Sequence, residues 1–158
     1  MRLPFFRKNV SQDFITSRLF DEKTFYQRFL KDAASCRREL IIESPFITTR
    51  RRGYMLPILK SLTRRGVRVV VNTRHPNEHE EYLKNEAGVS IALLQDAGVI
   101  VLFTGGHHRK LAIVDRSILW EGSLNILSHN ESCEIMRRID STTMAKDMIN
   151  FLGIARHI

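Results

Sequence analysis

The sequence predicts an α/β fold, a mixed and mostly parallel β-sheet with helices on both faces. Three observations carry this. Short β-branched and aliphatic runs of strand length recur at 40–44, 67–71, 99–103, 109–114 and 118–120. Segments with helical spacing separate the first three, and a strand, helix, strand unit closes with a right-handed crossover between parallel strands. Only Asp115-Arg116-Ser117 divides the last two runs, so they form a hairpin. The order βαβα, then strand and hairpin, reads as an α/β sandwich. With 158 residues, the chain has room for one domain, 1–158, and too few for two.

Residues 1–20 are basic and irregular, with Phe5, Phe6, Phe14, Ile15, Leu19 and Phe20, and read as an N-terminal arm packed on the body. From Asp21, a capping residue, the pattern turns helical: Phe25, Phe29 and Ala33 recur at i, i+4 and i+8 with Leu30 beside them. Arg37 and Arg38 suit the C-terminal end of that helix. Leu40 to Ser44 reads as a buried strand stopped by Pro45. Arg50-Arg51-Arg52 reads as a basic loop. A second helix follows over about 54–65, with Pro57 in its first turn, Leu56, Leu59 and Leu62 on its apolar face and Gly66 as its cap. Val67 to Val71 is a continuous run of the kind found in buried parallel strands. His75 and His79 lie in a polar loop with no acidic or Cys partner at ligand spacing, so no metal site is expected. Helices are expected over about 77–86 and 89–96, then the strand 99–103. Ser141 caps a last helix whose inner face carries Met144, Met148, Phe151 and Leu152.

Composition narrows the function. Apolar residues make up 43% and charged residues 27%, as in an ordinary soluble domain, but the net charge is +8. That charge is uneven. Residues 1–74 hold 17 Lys/Arg against 6 Asp/Glu, a net of +11, while residues 75–158 hold 8 against 11, a net of −3. A basic half suits a polyanionic partner, nucleic acid or an acidic membrane surface. The start lacks the apolar core of a signal peptide, and no apolar run reaches membrane-spanning length, so no membrane anchor is expected. Cys36 and Cys133 lack metal-ligand spacing and read as reduced thiols. The chain therefore reads as cytoplasmic, or as a domain of a longer protein.

The chemistry concentrates between His107 and Glu134. His108 and Lys110 are two residues apart, on one face if the segment is extended, about 6–7 Å from each other. Asp115 stands at the hairpin turn, and the polar loop Gly122-Ser123-Leu124-Asn125 follows the second strand. An imidazole, an ammonium, a hydroxyl and a carboxamide together suit a phosphodiester. Lys110, Ser123 and Asn125 offer donors to phosphate oxygens. His108 is the group among them able to attack phosphorus near neutral pH. His107 should point to the opposite face, as a bystander or substrate contact, and His129 reads as a surface residue.

The pattern H-x-K-x4-D-x6-G-S-x-N, filled here by His108, Lys110, Asp115, Gly122, Ser123 and Asn125, resembles the signature of the phospholipase D, or HKD, superfamily. The likeness is greatest to its small single-motif bacterial endonucleases. Segment 39–74 resembles the superfamily in general pattern, with Ser44-Pro45-Phe46-Ile47-Thr48 at the strand end that lines the site. The resemblance implies a phospholipase D-like α-β-α sandwich. It also implies a homodimer, because each active site needs two copies of the motif and this chain carries one. It further implies cleavage through a phosphohistidine on His108, with Lys110 and Asn125 holding the phosphate and no metal or cofactor required. Superfamily members orient the His with a Glu after the Gly-Ser-x-Asn loop: Glu134 here, with Glu131 as the alternative. Asp115 belongs to the motif and is structural by position. Nucleic acid, DNA ahead of RNA, is the expected partner, met by Arg50, Arg51, Arg52, Arg64, Arg65 and Arg74 through sequence-independent backbone contacts. The alternatives are a lipid phosphodiesterase and a nucleic-acid-binding module of a larger restriction or helicase protein.

Overall fold

The apolar runs become the inner strands of one sheet. The computed structural model describes residues 15–128 and 132–154. Its strands are β1 (Thr16–Asp21), β2 (Glu39–Glu43), β3 (Arg68–Thr73), β4 (Ile100–Phe103), β5 (Leu111–Val114), β6 (Ile118–Gly122) and β7 (Ile135–Asp140). The helices are α1 (Phe25–Ala34), α2 (Thr49–Arg64), α3 (Glu81–Asp96) and α4 (Thr142–Leu152). The sheet order is β1-β7-β6-β5-β2-β3-β4.

The sheet is mixed, as expected, but its antiparallel part is the larger. β2 pairs with β3 and β3 with β4 in parallel, while the other neighbouring pairs are antiparallel. The difference comes from β1 and β7. Residues 16–20 of the expected irregular arm are an edge strand paired with β7, and residues 1–14 lie outside the described residues.

Strand side chains sort by parity into two cores, as alternation requires. Leu40, Ile42, Val69, Val71, Ala112 and Val114 face α1, α2 and α3, where Phe25, Phe29, Leu59 and Leu94 are buried. Ile41, Val70, Leu111 and Ile113 face α4, where Ala145 and Ile149 are buried. Trp120 is fully buried against Phe20, Phe25 and Phe29. Its indole N–H donates to the Asp32 carboxylate at 3.1 Å, and Arg138 donates to the same oxygen at 2.7 Å, so this buried acid on α1 is paired.

Several boundaries differ from expectation for traceable reasons. α2 begins at Thr49, so Arg50, Arg51 and Arg52 form its first turn and are not a loop, and Pro57 falls in the helix interior. The Thr49 N–H donates to Glu86 of α3, a cap from a distant segment. Lys31 lies in the last turn of α1, and Arg65 from beyond α2 donates to the carbonyls of Ala34 and Cys36 at 3.0 and 3.2 Å; Arg37 and Arg38 lie beyond the helix end. The two helices expected over 77–86 and 89–96 are one continuous α3, with a single 3-10 turn at Pro76–Glu78 before it. Ser141 caps α4 as expected, accepting from the Met144 N–H at 3.1 Å. The buried face of α4 is set by Ala145 and Ile149, which leaves Phe151 80% exposed.

Asp115 ends β5, where it and Arg116 take φ of 51° and 54° in the hairpin turn. Its carboxylate accepts from the N–H groups of Arg37 (3.0 Å), Arg38 (2.7 Å) and Glu39 (3.1 Å) and from the Cys36 thiol (3.2 Å). Burial alone would raise its pKa, but these backbone donors outweigh it and hold the carboxyl below 3.8. The Cys36 thiol, in turn, is pushed up to about 12 by burial first and by Asp115 second, so it is an inert structural thiol. Asp115→Ala should cost about 1–3 kcal/mol by leaving these donors unsatisfied. Because the folded carboxyl lies below its ordinary value of 3.8, that stability is full above it and is lost as pH falls through the folded value. Urea unfolding of both proteins at pH 7 and near pH 3 checks this: the gap should shrink at the lower pH.

Candidate active site

β4 and β5 are three sheet positions apart, with β2 and β3 between them. The connection Thr104–Lys110 must therefore cross the C-terminal tips of β3 and β2, roughly 14 Å of sheet. Gly106, at φ 61°, allows the turn that starts the crossing. The Thr104 N–H donates to the Thr73 carbonyl at 3.1 Å, and the Gly106 N–H to Glu78 at 2.9 Å. The centre is held by Glu43, the fully buried last residue of β2. Its carboxylate bonds His107 Nε2 at 2.7 Å, Arg109 Nε at 2.7 Å and Asn72 Nδ2 at 2.9 Å. Burial would raise Glu43, but these three partners together hold it below its ordinary value, so it is a charged carboxylate.

His107 is therefore turned away from His108, as its position predicts, but it is neither a bystander nor a substrate contact. It is 3% exposed and locked to Glu43. The sequence carries a faint signal for this pair: an acid ends an otherwise apolar strand, a place where a buried charge requires a partner.

His108 and Lys110, between the anchored His107 and Arg109 and the start of β5, remain at the surface. Lys110 Nζ donates to the His108 carbonyl at 2.8 Å. Arg74 NH2 lies 3.1 Å from His108 Nε2. A guanidinium only donates, so a hydrogen bond between the two requires the tautomer whose Nε2 carries the lone pair. The Arg74 guanidinium also sits over the Phe46 ring at 5.5 Å. Arg74 is thus beside the imidazole, within the candidate site itself.

The second half is the Gly122–Asn125 loop. A Cβ on Gly122 would collide with the Ile135 carbonyl oxygen, which explains glycine there. Ser123 clamps β6 to β7: its N–H donates to the Ile135 carbonyl at 2.9 Å, and its Oγ accepts from the Ile135 N–H at 3.0 Å. Among the described residues, its own proton has the Ile135 oxygen at 3.5 Å, the outer limit of a hydrogen bond, and stays available. Asn125 is 9% exposed, and its Oδ1 has no partner. Tyr26, stacked under Arg51 at 3.2 Å, donates to the Ile126 carbonyl at 2.9 Å. The Leu127 N–H donates to Ser44 Oγ at 3.1 Å, and Thr48 N–H to the Leu127 carbonyl at 2.9 Å. The 44–48 segment thus lines this loop.

The remaining expected residues are more dispersed. Asp115 lies at the far end of β5 from His108 and serves the hairpin. Glu134 accepts from Ser132 Oγ at 2.6 Å, and His108 has Arg74, not Glu134, as its side-chain partner. Glu131 and His129 lie outside the described residues. Arg51 stacks on Tyr26, Arg52 donates to Ser90 at 2.8 Å, and Arg50 and Arg64 are exposed. Arg50–Arg52 and Arg64–Arg65 occupy opposite ends of α2, about 20 Å apart, so they do not form one patch. His75 accepts from the Asn77 N–H at 3.2 Å and packs on Phe103, while His79 packs on Phe46. Beside Lys110 lies a feature absent from the sequence reading, a cleft lined by Leu19, Ile135, Met148 and Phe151 with Arg109. Leu19 and Ile135 are each 60% exposed there.

A fold whose strand tips carry this His-x-Lys crossing and Gly-Ser-x-Asn loop is that of the phospholipase D-like domains. Residues 29–153 match the family profile described as "Cardiolipin synthase, PLD-like domain", and the chain belongs to that family. Among solved structures, it is similar to Nuc from Salmonella typhimurium, described as a phospholipase D family member, with TM-score 0.71 and 14% identity over 87% of this chain and 91% of that one. It is also similar to NucT from Helicobacter pylori, with TM-score 0.62 and 20% identity over 87% and 92% of the two chains. Polyphosphate kinase from Porphyromonas gingivalis matches at TM-score 0.69 and 12% identity, over 90% of this chain and 26% of that one. At these identities the likeness establishes the fold. No curated protein matches the chain. Among the described residues, no helix is long and apolar enough to cross a membrane.

Removing the carboxylate under the crossing should be costly. Glu43→Ala strips the partner from His107 and Arg109 and should lower stability by about 3–5 kcal/mol, as for other broken buried ion pairs. Chemical unfolding measures it; a loss below about 1 kcal/mol would mean the network contributes little.

Proposed function

We propose that the protein is a metal-independent, sequence-nonspecific endonuclease that cleaves nucleic acid through a phosphohistidine, in a site shared by two copies of the chain. The observation that carries this is His108 Nε2. It is a ring nitrogen at the surface, 3.1 Å from the Arg74 guanidinium, and the Lys110 ammonium is held on the backbone carbonyl of the same residue. An anionic phosphodiester entering there takes Arg74 away from the imidazole and leaves Nε2 free to attack.

The reaction runs as two in-line displacements. His108 Nε2 bonds to phosphorus as the P–O bond to the leaving strand breaks, and the leaving oxygen takes a proton from the second copy's imidazole. That imidazole then removes a proton from water, which attacks phosphorus, breaks the P–N bond and restores His108. Lys110, Arg74, Asn125 and the Ser123 hydroxyl stabilise the charge on the phosphoryl oxygens. These cations supply the neutralisation that a metal supplies elsewhere. Glu134 or Glu131 orients the imidazole, with assembly of the two copies bringing the carboxylate into reach. The exposed apolar cleft beside Lys110 is a surface on which a second copy can close. The basic N-terminal half and the likeness in size to Nuc and NucT support the nuclease reading.

That same cleft is the one observation favouring a second reading, a lipid phosphodiesterase, since Leu19, Ile135 and Phe151 could receive acyl chains next to the phosphate site.

The deciding assay incubates wild type and His108→Ala with plasmid, single-stranded DNA, RNA and phosphatidylcholine in EDTA. Wild type should cut nucleic acid in chelator, with binding that weakens steeply as salt rises, and His108→Ala should be inactive but folded. Activity that disappears in EDTA and returns with added divalent metal would contradict the metal-free scheme. Turnover of phosphatidylcholine alone would establish the lipid reading.

A further inference from the structure

Three of the buried polar atoms without a hydrogen-bond partner share one cleft: Thr48 Oγ1, His79 Nδ1 and Asn125 Oδ1. The cleft has a volume of about 360 Å³, within the range of small-ligand sites. Phe46, His79 and Tyr82 line it, and Tyr82 is 72% exposed at its mouth. Among the described residues, no Asp, Glu, Lys or Arg lines it. It adjoins the phosphate site at two points. Asn125 belongs to the Gly-Ser-Leu-Asn loop, and Phe46 lies under the Arg74 guanidinium that reaches His108.

We infer that this cleft is a subsite for one unpaired nucleobase of the strand whose phosphate lies at His108. This rests on the nuclease reading and names its substrate class, single-stranded nucleic acid. A base is a flat, neutral ring with hydrogen-bonding edges. The aromatic rings offer it stacking faces, and the three orphaned atoms offer partners to its edge. Asn125 can serve both groups at once, turning its Nδ2 to the phosphate and its Oδ1 to the base. The lining disfavours a cationic headgroup. Among the described residues no carboxylate faces the cleft, Arg74 stands at its border, and His79 is held below its ordinary pKa by burial first and by Arg74 second. A base stacked within a duplex cannot enter, so the strand must be unpaired at the cut.

The test measures binding in the His108→Ala background, where the strand stays intact. The probes are an oligothymidylate and a strand of equal length built from tetrahydrofuran abasic units, which carries the same phosphates and no bases. The oligothymidylate should bind roughly five- to hundredfold tighter, the range expected for one stacked base. Tyr82→Ala should remove much of that margin and leave the abasic strand's affinity as it was. Equal binding of the two strands, or equal weakening of both by Tyr82→Ala, overturns the subsite while the nuclease reading stands if wild type still cuts DNA. If wild type neither binds nor cuts any nucleic acid, the nuclease reading fails first, and the subsite with it.

Discussion

A polar connection laid across the tips of two strands has to be tied down, and in this protein a buried carboxylate is the centre of that anchoring. Glu43 closes β2 at the point where the β4–β5 crossing passes over the sheet. It gathers Asn72 from β3 and His107 and Arg109 from the crossing into one network. Low dielectric strengthens each of these bonds and makes the loss of one costly, although the second ring nitrogen of His107, Nδ1, is buried without a partner among the described residues. Its consequence is positional. With His107 and Arg109 pinned, the two residues that alternate with them, His108 and Lys110, are presented at the surface.

The opposing loop is fixed by different means to the same end. Gly122 lets β7 approach too closely for any side chain, Ser123 binds both backbone groups of Ile135, and Tyr26 and Ser44 hold the loop from behind. Residues that a motif groups together thus divide their labour. His108 is exposed, Lys110 is half-buried and Asn125 lines a cleft. Gly122 and Asp115 shape the backbone, as does Ser123. A shared motif reflects one fold feature as much as one list of reacting groups.

The inner strands, the hairpin, the final helix and the family motif were legible in the sequence because each rests on local pattern: apolar runs, a turn tripeptide, a cap, a fixed spacing. What was not legible depends on distant partners. β1 and β7 carry mixed sequences, Ser17-Arg18-Leu19 and Arg137-Arg138-Ile139, and become strands because they pair with each other and with β6. α2 starts early because Glu86 of another helix caps it. α3 passes through Gly88, where the helix tolerates a missing side chain. Of the arginines expected to meet a nucleic-acid backbone, the clusters 50–52 and 64–65 lie at opposite ends of a helix 16 residues long, and Arg51, Arg52 and Arg65 are engaged within the fold, placements that depend on distant partners. His107 read as a bystander or substrate contact because sequence does not reveal that the acid facing it is fully buried.

The reactive nitrogen is the claim on which the functional account turns, and trapping the intermediate tests it most directly. A single-turnover reaction with an end-labelled strand, quenched in denaturant, should yield a covalent protein–strand adduct. That adduct should be labile in acid, stable in base, and located at His108 by peptide mapping. Strand cleavage with no adduct at any quench time, or an adduct at another residue, would contradict it.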